Sequence, residues 1–99
     1  MAYTYFTFAN KDVINILSPV NGVVTQVDTE RNKIVLKGYV YADEIMITGI
    51  NPTILTGRSL VIGTKIGESL GNDVPYTIYL PASLANSSVL AGMVEKKTT

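Results

Sequence analysis

Apolar residues along this chain fall into short segments that alternate with polar residues and end at turn-forming residues. In segment 22–27, for example, Val23, Thr25 and Val27 share one side of an extended chain. Apolar runs this short, bounded by glycine, proline, aspartate or asparagine, favour strands over helices. The pattern therefore predicts an all-β fold of short antiparallel strands over residues 3–8, 13–17, 22–27, 33–37, 44–48, 60–62, 65–67 and 76–80.

The length of the chain sets its domain organisation. Ninety-nine residues suffice for one hydrophobic core. We expect a single domain over 1–99, with its core in 10–80, an N-terminal strand over 3–8 and a C-terminal arm over 82–99. Within that arm, residues 82–94 are predicted to form either a short helix or an irregular segment, because Gly92 weakens the helical pattern.

Six residues define the predicted turns: Pro19, Gly22, Pro52, Gly57, Gly63 and Gly67. Pro19 should end a strand because it has no backbone N–H, and Gly22 should supply a positive φ in the turn that follows. A short helical turn is predicted over 51–56, with Pro52 at its first position and Gly57 at its end. The last two glycines are expected to build a hairpin between 60–62 and 65–67.

Aromatic residues mark the candidate interaction surface. Strand 3–8 carries Tyr3 and Tyr5 on one face and Phe6 and Phe8 on the other. Two interpretations stay open: an edge strand of the chain's own sheet, or a strand that adds to a neighbouring subunit's sheet. Segment 38–41 is expected to continue strand 33–37 in extended form, which places Tyr39 and Tyr41 on one strand face. We also assign these two tyrosines to the interface, because tyrosines can anchor a partner or stack on a sugar.

Charge and composition narrow the classes of partner. Eight basic and eight acidic residues leave no net charge, which argues against nucleic acid and favours self-association into a homo-oligomer or larger assembly. No segment is apolar for long enough to span a membrane, and the N-terminal sequence is not a signal peptide. We therefore expect synthesis in the cytoplasm, which is compatible with incorporation in a virion.

Histidine and cysteine are both absent from the sequence. Without them the chain cannot build Ser-His or Cys-His nucleophile pairs or the usual zinc sites. The prediction is a protein that is not an enzyme, with no catalytic residues, no metal and no cofactor. Lys11 has the polar neighbours Asn10 and Asp12, which indicate a solvated turn lysine.

The turn residues form a pattern that resembles a known family over roughly residues 10–70. The pattern is Ser18-Pro19-Val20-Asn21-Gly22-Val23-Val24, then Asn51-Pro52, then Gly57-x-x-Leu60-Val61-x-Gly63-x-x-Ile66-Gly67. It is similar to the β-barrel core of the lysostaphin-like zinc endopeptidases, a barrel-sandwich hybrid fold shared with biotinyl and lipoyl carrier domains. The resemblance implies a catalytically inactive barrel, because the position of the family's His-x-His motif falls near Ile47-Thr48-Gly49.

These expectations converge on a non-enzymatic structural or assembly protein that works through protein–protein contacts. Barrels related to wall-cutting enzymes occur in phage particles, so the resemblance implies a small phage or virion component. The alternative is a module that binds glycan or peptidoglycan through an inactive groove.

Overall fold

The structure, a computed structural model, describes residues 2–96. Within that range the chain forms ten strands, one 3₁₀-helix and one α-helix. In chain order these elements are β1 (Tyr3–Phe8), β2 (Ile14–Leu17), β3 (Gly22–Asp28), β4 (Lys33–Gly38), β5 (Glu44–Thr48), β6 (Ile50–Pro52), β7 (Ser59–Leu60), β8 (Lys65–Ser69), β9 (Tyr76–Pro81), the 3₁₀-helix Ala82–Leu84, α1 (Ser87–Met93) and β10 (Val94–Lys96).

The strands form two antiparallel sheets. The larger sheet has six strands in the order β1-β9-β5-β4-β3-β7, and the smaller has four in the order β10-β2-β8-β6. The predicted all-β fold of short antiparallel strands in one small domain is thereby confirmed, although the sheets do not close into a single barrel.

The hydrophobic core joins residues from both sheets. Strands place alternate side chains on opposite faces, so each strand contributes every second residue to the core. The larger sheet contributes fully buried aliphatic residues from β4, β5 and β9, and the smaller sheet contributes them from β2, β6 and β8: Ile34, Leu36, Ile45, Ile47, Ile78, Leu80, Ile16, Ile50 and Ile66. Burial of these side chains supplies the main driving force for folding.

The helical turn predicted over 51–56 is wrong. The chain leaves the larger sheet at Gly49, whose φ is 82°, and immediately enters the smaller sheet as β6. There Ile50 pairs with Ser69, and Pro52 pairs with Gly67. Because β6 is an edge strand, Pro52 can occupy it without a ladder hydrogen bond, and pairing with β8 overrides the local helical signal.

The hairpin predicted between 60–62 and 65–67 is also wrong. A turn with Gly63 at φ 94° does connect the two segments, and the Thr64 N–H donates to the Val61 carbonyl oxygen at 3.0 Å. However, β7 pairs with β3 in the larger sheet, whereas β8 pairs with β2 and β6 in the smaller one. The turn therefore connects the two sheets rather than two adjacent strands.

The remaining turn residues fall into two groups. Gly57 has a φ of 87°, as a turn glycine requires, and Pro19 lies in the bend after β2. Gly22 does not have the predicted positive φ: it lies in β3, where a Cβ atom would overlap the carbonyl oxygen of Lys37. Gly67 lies in β8, where a Cβ atom would come 2.8 Å from the carbonyl oxygen of Asn51. Both positions require glycine because two backbones approach closely.

The C-terminal segment packs onto the rest of the fold. Asn86 caps α1, because its side-chain oxygen accepts a 3.0 Å hydrogen bond from the Val89 N–H. Leu84 and Met93 are buried in the core, and β10 pairs with β2. Of the two alternatives for 82–94, the structure has a short helix. The predicted arm also includes residues 97–99, which lie outside the described residues.

Candidate protein-interaction surface

Strand β1 forms at the predicted residues and lies at one edge of the larger sheet. Its inner side pairs with β9 over all six residues without a bulge, from Tyr3 opposite Pro81 to Phe8 opposite Tyr76. Within residues 2–96 no strand pairs with its outer side. Backbone groups along that outer side are therefore available to hydrogen-bond another strand.

The two faces of β1 have different environments. Phe6 packs against the core, and the ring of Phe8 lies 5.7 Å from that of the buried Tyr76. On the opposite face Tyr5 is 68% exposed, with its ring 6.1 Å from that of Tyr79. Aromatic residues therefore lie on both faces of one edge strand, as the sequence predicted.

Tyr3 connects β1 to the first residue of β5. Its hydroxyl group donates a 2.6 Å hydrogen bond to the backbone carbonyl oxygen of Glu44. Partial burial, and then the negative charges of Asp43 and Glu44, raise the pKa of the Tyr3 phenol above its usual value. As the donor of this hydrogen bond, the Tyr3 hydroxyl anchors this end of β1 to β5.

The four sheet edges differ in how they are protected against pairing with another chain. Natural edge strands avoid such pairing by being very short or by carrying proline or charged residues. Strand β7 has two residues, β6 has three and ends in Pro52, and β10 has three that include Glu95 and Lys96. Strand β1 has six residues, no proline and no charge. It is the one edge in residues 2–96 without such protection.

A cavity of about 280 Å³ opens beside the end of β1. Its lining is mainly apolar and comes from β1, β2, β9, α1 and β10, through residues that include Phe8, Ile14, Leu90 and Val94. The Tyr76 hydroxyl donates a 2.8 Å hydrogen bond to Oδ1 of Asn10 at its wall, and burial raises the pKa of Tyr76. The volume of the cavity falls below the range typical of small-molecule sites. Sequence analysis did not predict it, because its lining comes from five separate elements.

Tyr39 and Tyr41 do not lie in a strand. They belong to the loop between β4 and β5, so the prediction that they share a strand face is wrong. Tyr39 is 66% exposed, whereas Tyr41 packs against the core. Tyr39 lines a cavity of about 220 Å³ together with Pro19 and Ile62. Exposed apolar residues in this loop and in the turn before β8 were not identified from the sequence: Val40, Val61 and Ile62.

The described residues form neither a metal site nor a membrane-spanning helix. Across residues 2–96, no three acidic, histidine or cysteine side chains lie together in a group that could hold a metal ion. In the same range no helix has the length and apolar character needed to cross a membrane. Comparison with protein-family models, with curated proteins and with solved structures found no match to this chain.

Proposed function

We propose that this chain is a non-enzymatic structural protein that assembles through protein–protein contacts along the outer side of β1. The observation that carries the proposal is the contrast among the four sheet edges formed by residues 2–96: of these, β1 alone is long, uncharged and free of proline. Such an edge promotes pairing with another chain. The absence of net charge on the whole chain supports the proposal, because no overall repulsion opposes association.

The more specific form of the proposal is a small phage or virion component, made in the cytoplasm and incorporated into the particle. It draws on the resemblance of the turn pattern to the barrel of wall-cutting endopeptidases, whose His-x-His motif would fall near Ile47-Thr48-Gly49, where neither flanking residue can bind zinc. The virion proposal can be tested by mass spectrometry of particles purified from the virus that encodes the chain. We expect the chain at a fixed ratio to the other particle proteins, and particles that lack it would contradict the proposal.

The general form is tested by light scattering of the purified chain over a range of concentrations. We expect a stable species heavier than one chain of 10.7 kDa. The same sample is then centrifuged with purified peptidoglycan, and the chain should remain in the supernatant. A chain that stays monomeric at every concentration would overturn self-assembly.

The alternative function is glycan or peptidoglycan binding, and one observation favours it. On the outer face of the larger sheet, Tyr5 and Tyr79 lie side by side, next to a 3.0 Å hydrogen bond between the hydroxyls of Thr7 and Thr77. Aromatic rings beside hydroxyl groups can stack on a sugar ring and hydrogen-bond its substituents. A monomer that sediments with peptidoglycan, and that loses this property on Tyr79→Ala substitution, would support this alternative over assembly.

A further inference from the structure

The pairing of β1 with β9 shows which kind of strand β1 accepts as a neighbour. Both strands are rich in tyrosine and threonine, and neither carries a charged residue. Three of their six opposed pairs join similar residues: Tyr5 with Tyr79, Thr7 with Thr77, and Phe8 with Tyr76. Such cross-strand aromatic and threonine pairs stabilise antiparallel sheets. Within the fold, β1 therefore already pairs antiparallel with β9, a strand of similar composition.

The β1 strand of a second copy of the chain carries the same uncharged aromatic and threonine residues, and it could pair with the outer side of β1. We propose that two copies of the chain pair through β1, antiparallel, across a two-fold axis perpendicular to the larger sheet. This inference rests on the proposed assembly function and names its partner. The two larger sheets then form one continuous sheet, and the available backbone groups of each β1 are satisfied by the other.

The two-fold axis restricts the register of this pairing. Rotation about this axis brings each face of one sheet next to the same face of the other. Residues opposite each other must therefore come from the same face of β1. Two registers then pair five residues of each strand: one places Tyr5 opposite Tyr5 of the second copy, and the other places Phe6 opposite Phe6. In both registers uncharged residues meet, which avoids the cost of like charges in directly opposed positions.

A charge substitution tests the contact. Tyr5→Lys places a cation on an exposed position of β1, where two lysines would lie opposite or near each other in the paired strands. Val40→Lys is the matched control, because Val40 is 86% exposed and lies in the loop between β4 and β5. We expect the native chain and Val40→Lys to have twice the mass of one chain in light scattering and Tyr5→Lys to have the mass of one. Circular dichroism should be the same for all three.

Disulfide cross-linking provides a second test, independent of any effect of lysine on folding. The native chain has no cysteine, so each introduced cysteine can bond only to another introduced one. Directly opposed residues of an antiparallel pair lie within disulfide range. The Tyr5 register predicts that Tyr5→Cys alone forms a cross-linked dimer on mild oxidation. The Phe6 register predicts a cross-link between Tyr5→Cys and Thr7→Cys when the two variants are mixed. Val40→Cys should remain uncross-linked under the same conditions.

The outcomes separate this inference from the broader proposal. Either predicted cross-link, with a monomeric Tyr5→Lys, supports antiparallel β1 pairing. An oligomer that survives Tyr5→Lys and gives neither cross-link would overturn β1 pairing but leave assembly standing through another surface. A native chain that is monomeric at every concentration would overturn both.

Discussion

Gly22 and Gly38 lie directly opposite each other in the ladder between β3 and β4. A Cβ atom on Gly22 would overlap the carbonyl oxygen of Lys37 and lie 2.8 Å from the Cα atom of Gly38. A Cβ atom on Gly38 would lie 2.6 Å from Cδ2 of Tyr41. The two backbones and the tyrosine ring therefore pack at a distance that only glycine permits, beside the loop that carries Tyr39.

Gly22→Ala should destabilise the fold because the new methyl group meets backbone atoms that cannot rotate away. We expect the free energy of unfolding to fall by about 1–3 kcal/mol, measured by urea denaturation. Gly92→Ala is the matched control: it lies in α1, and its Cβ atom would meet nothing within 4 Å. That variant should be as stable as the native chain or gain up to about 1 kcal/mol. Equal stability of Gly22→Ala and the native chain would contradict the close approach.

Met93→Ala should destabilise the fold because Met93 is fully buried in the core. Removal of a buried side chain of this size lowers the free energy of unfolding by about 2–5 kcal/mol. Val94→Ala changes the next residue, which is 36% exposed, and should cost less. If urea denaturation shows no loss of stability in Met93→Ala, the C-terminal segment is not part of the cooperative fold.

Stability should decrease at alkaline pH because burial raises the pKa of Tyr76 above the usual value of 10.0. The unfolded tyrosine ionises first as the pH rises through about 10, while the folded one still holds its proton. The stabilisation from this shift is therefore complete below pH about 10 and is lost as the pH rises through the pKa of the folded state. Tyr3 contributes in the same direction.

The measurement is urea denaturation at a series of alkaline pH values for the native chain and Tyr76→Phe. Phenylalanine cannot ionise, so the stability of the variant should fall less steeply with pH. Tyr76→Phe also removes the hydrogen bond to Asn10, which lowers stability at all pH values by about 0.5–1.5 kcal/mol. If stability falls with pH equally steeply in the two proteins, the pKa of Tyr76 is not raised by burial.

Zinc should leave the melting temperature of the chain unchanged. The sequence has no histidine or cysteine, and the acidic side chains of residues 2–96 form no group that could hold a metal. A ligand that binds the folded state raises the melting temperature. Thermal denaturation with an equimolar amount of zinc tests this expectation, with magnesium as the control ion. A rise in melting temperature with zinc but not with magnesium would show that the chain has a zinc site and would contradict the prediction.

Sequence patterns predicted the strands that are defined by their own residues. Strand β1 forms over residues 3–8 as expected, because alternating aromatic and threonine residues favour extended structure and polar residues follow at Asn10. The positions of the turns at Gly57 and Gly63 also followed from local chemistry, since glycine adopts a positive φ without steric cost. For this reason the sequence was sufficient to predict most strands and turns.

Only the tertiary structure decided which strands pair, and therefore which surfaces are exposed. Pairing with β8 makes Ile50–Pro52 a strand despite its local helical signal, and the turn at Gly63 joins two sheets because β7 and β8 have different partners. The unprotected edge also results from strand pairing, because β1 is an edge strand only since it pairs with β9 at the end of the larger sheet. The sequence by itself determined where the chain is extended and where it turns, since these are local preferences. Sheet order, the close approach at Gly22 and the candidate interface depend on contacts between residues distant in sequence, which no local pattern specifies.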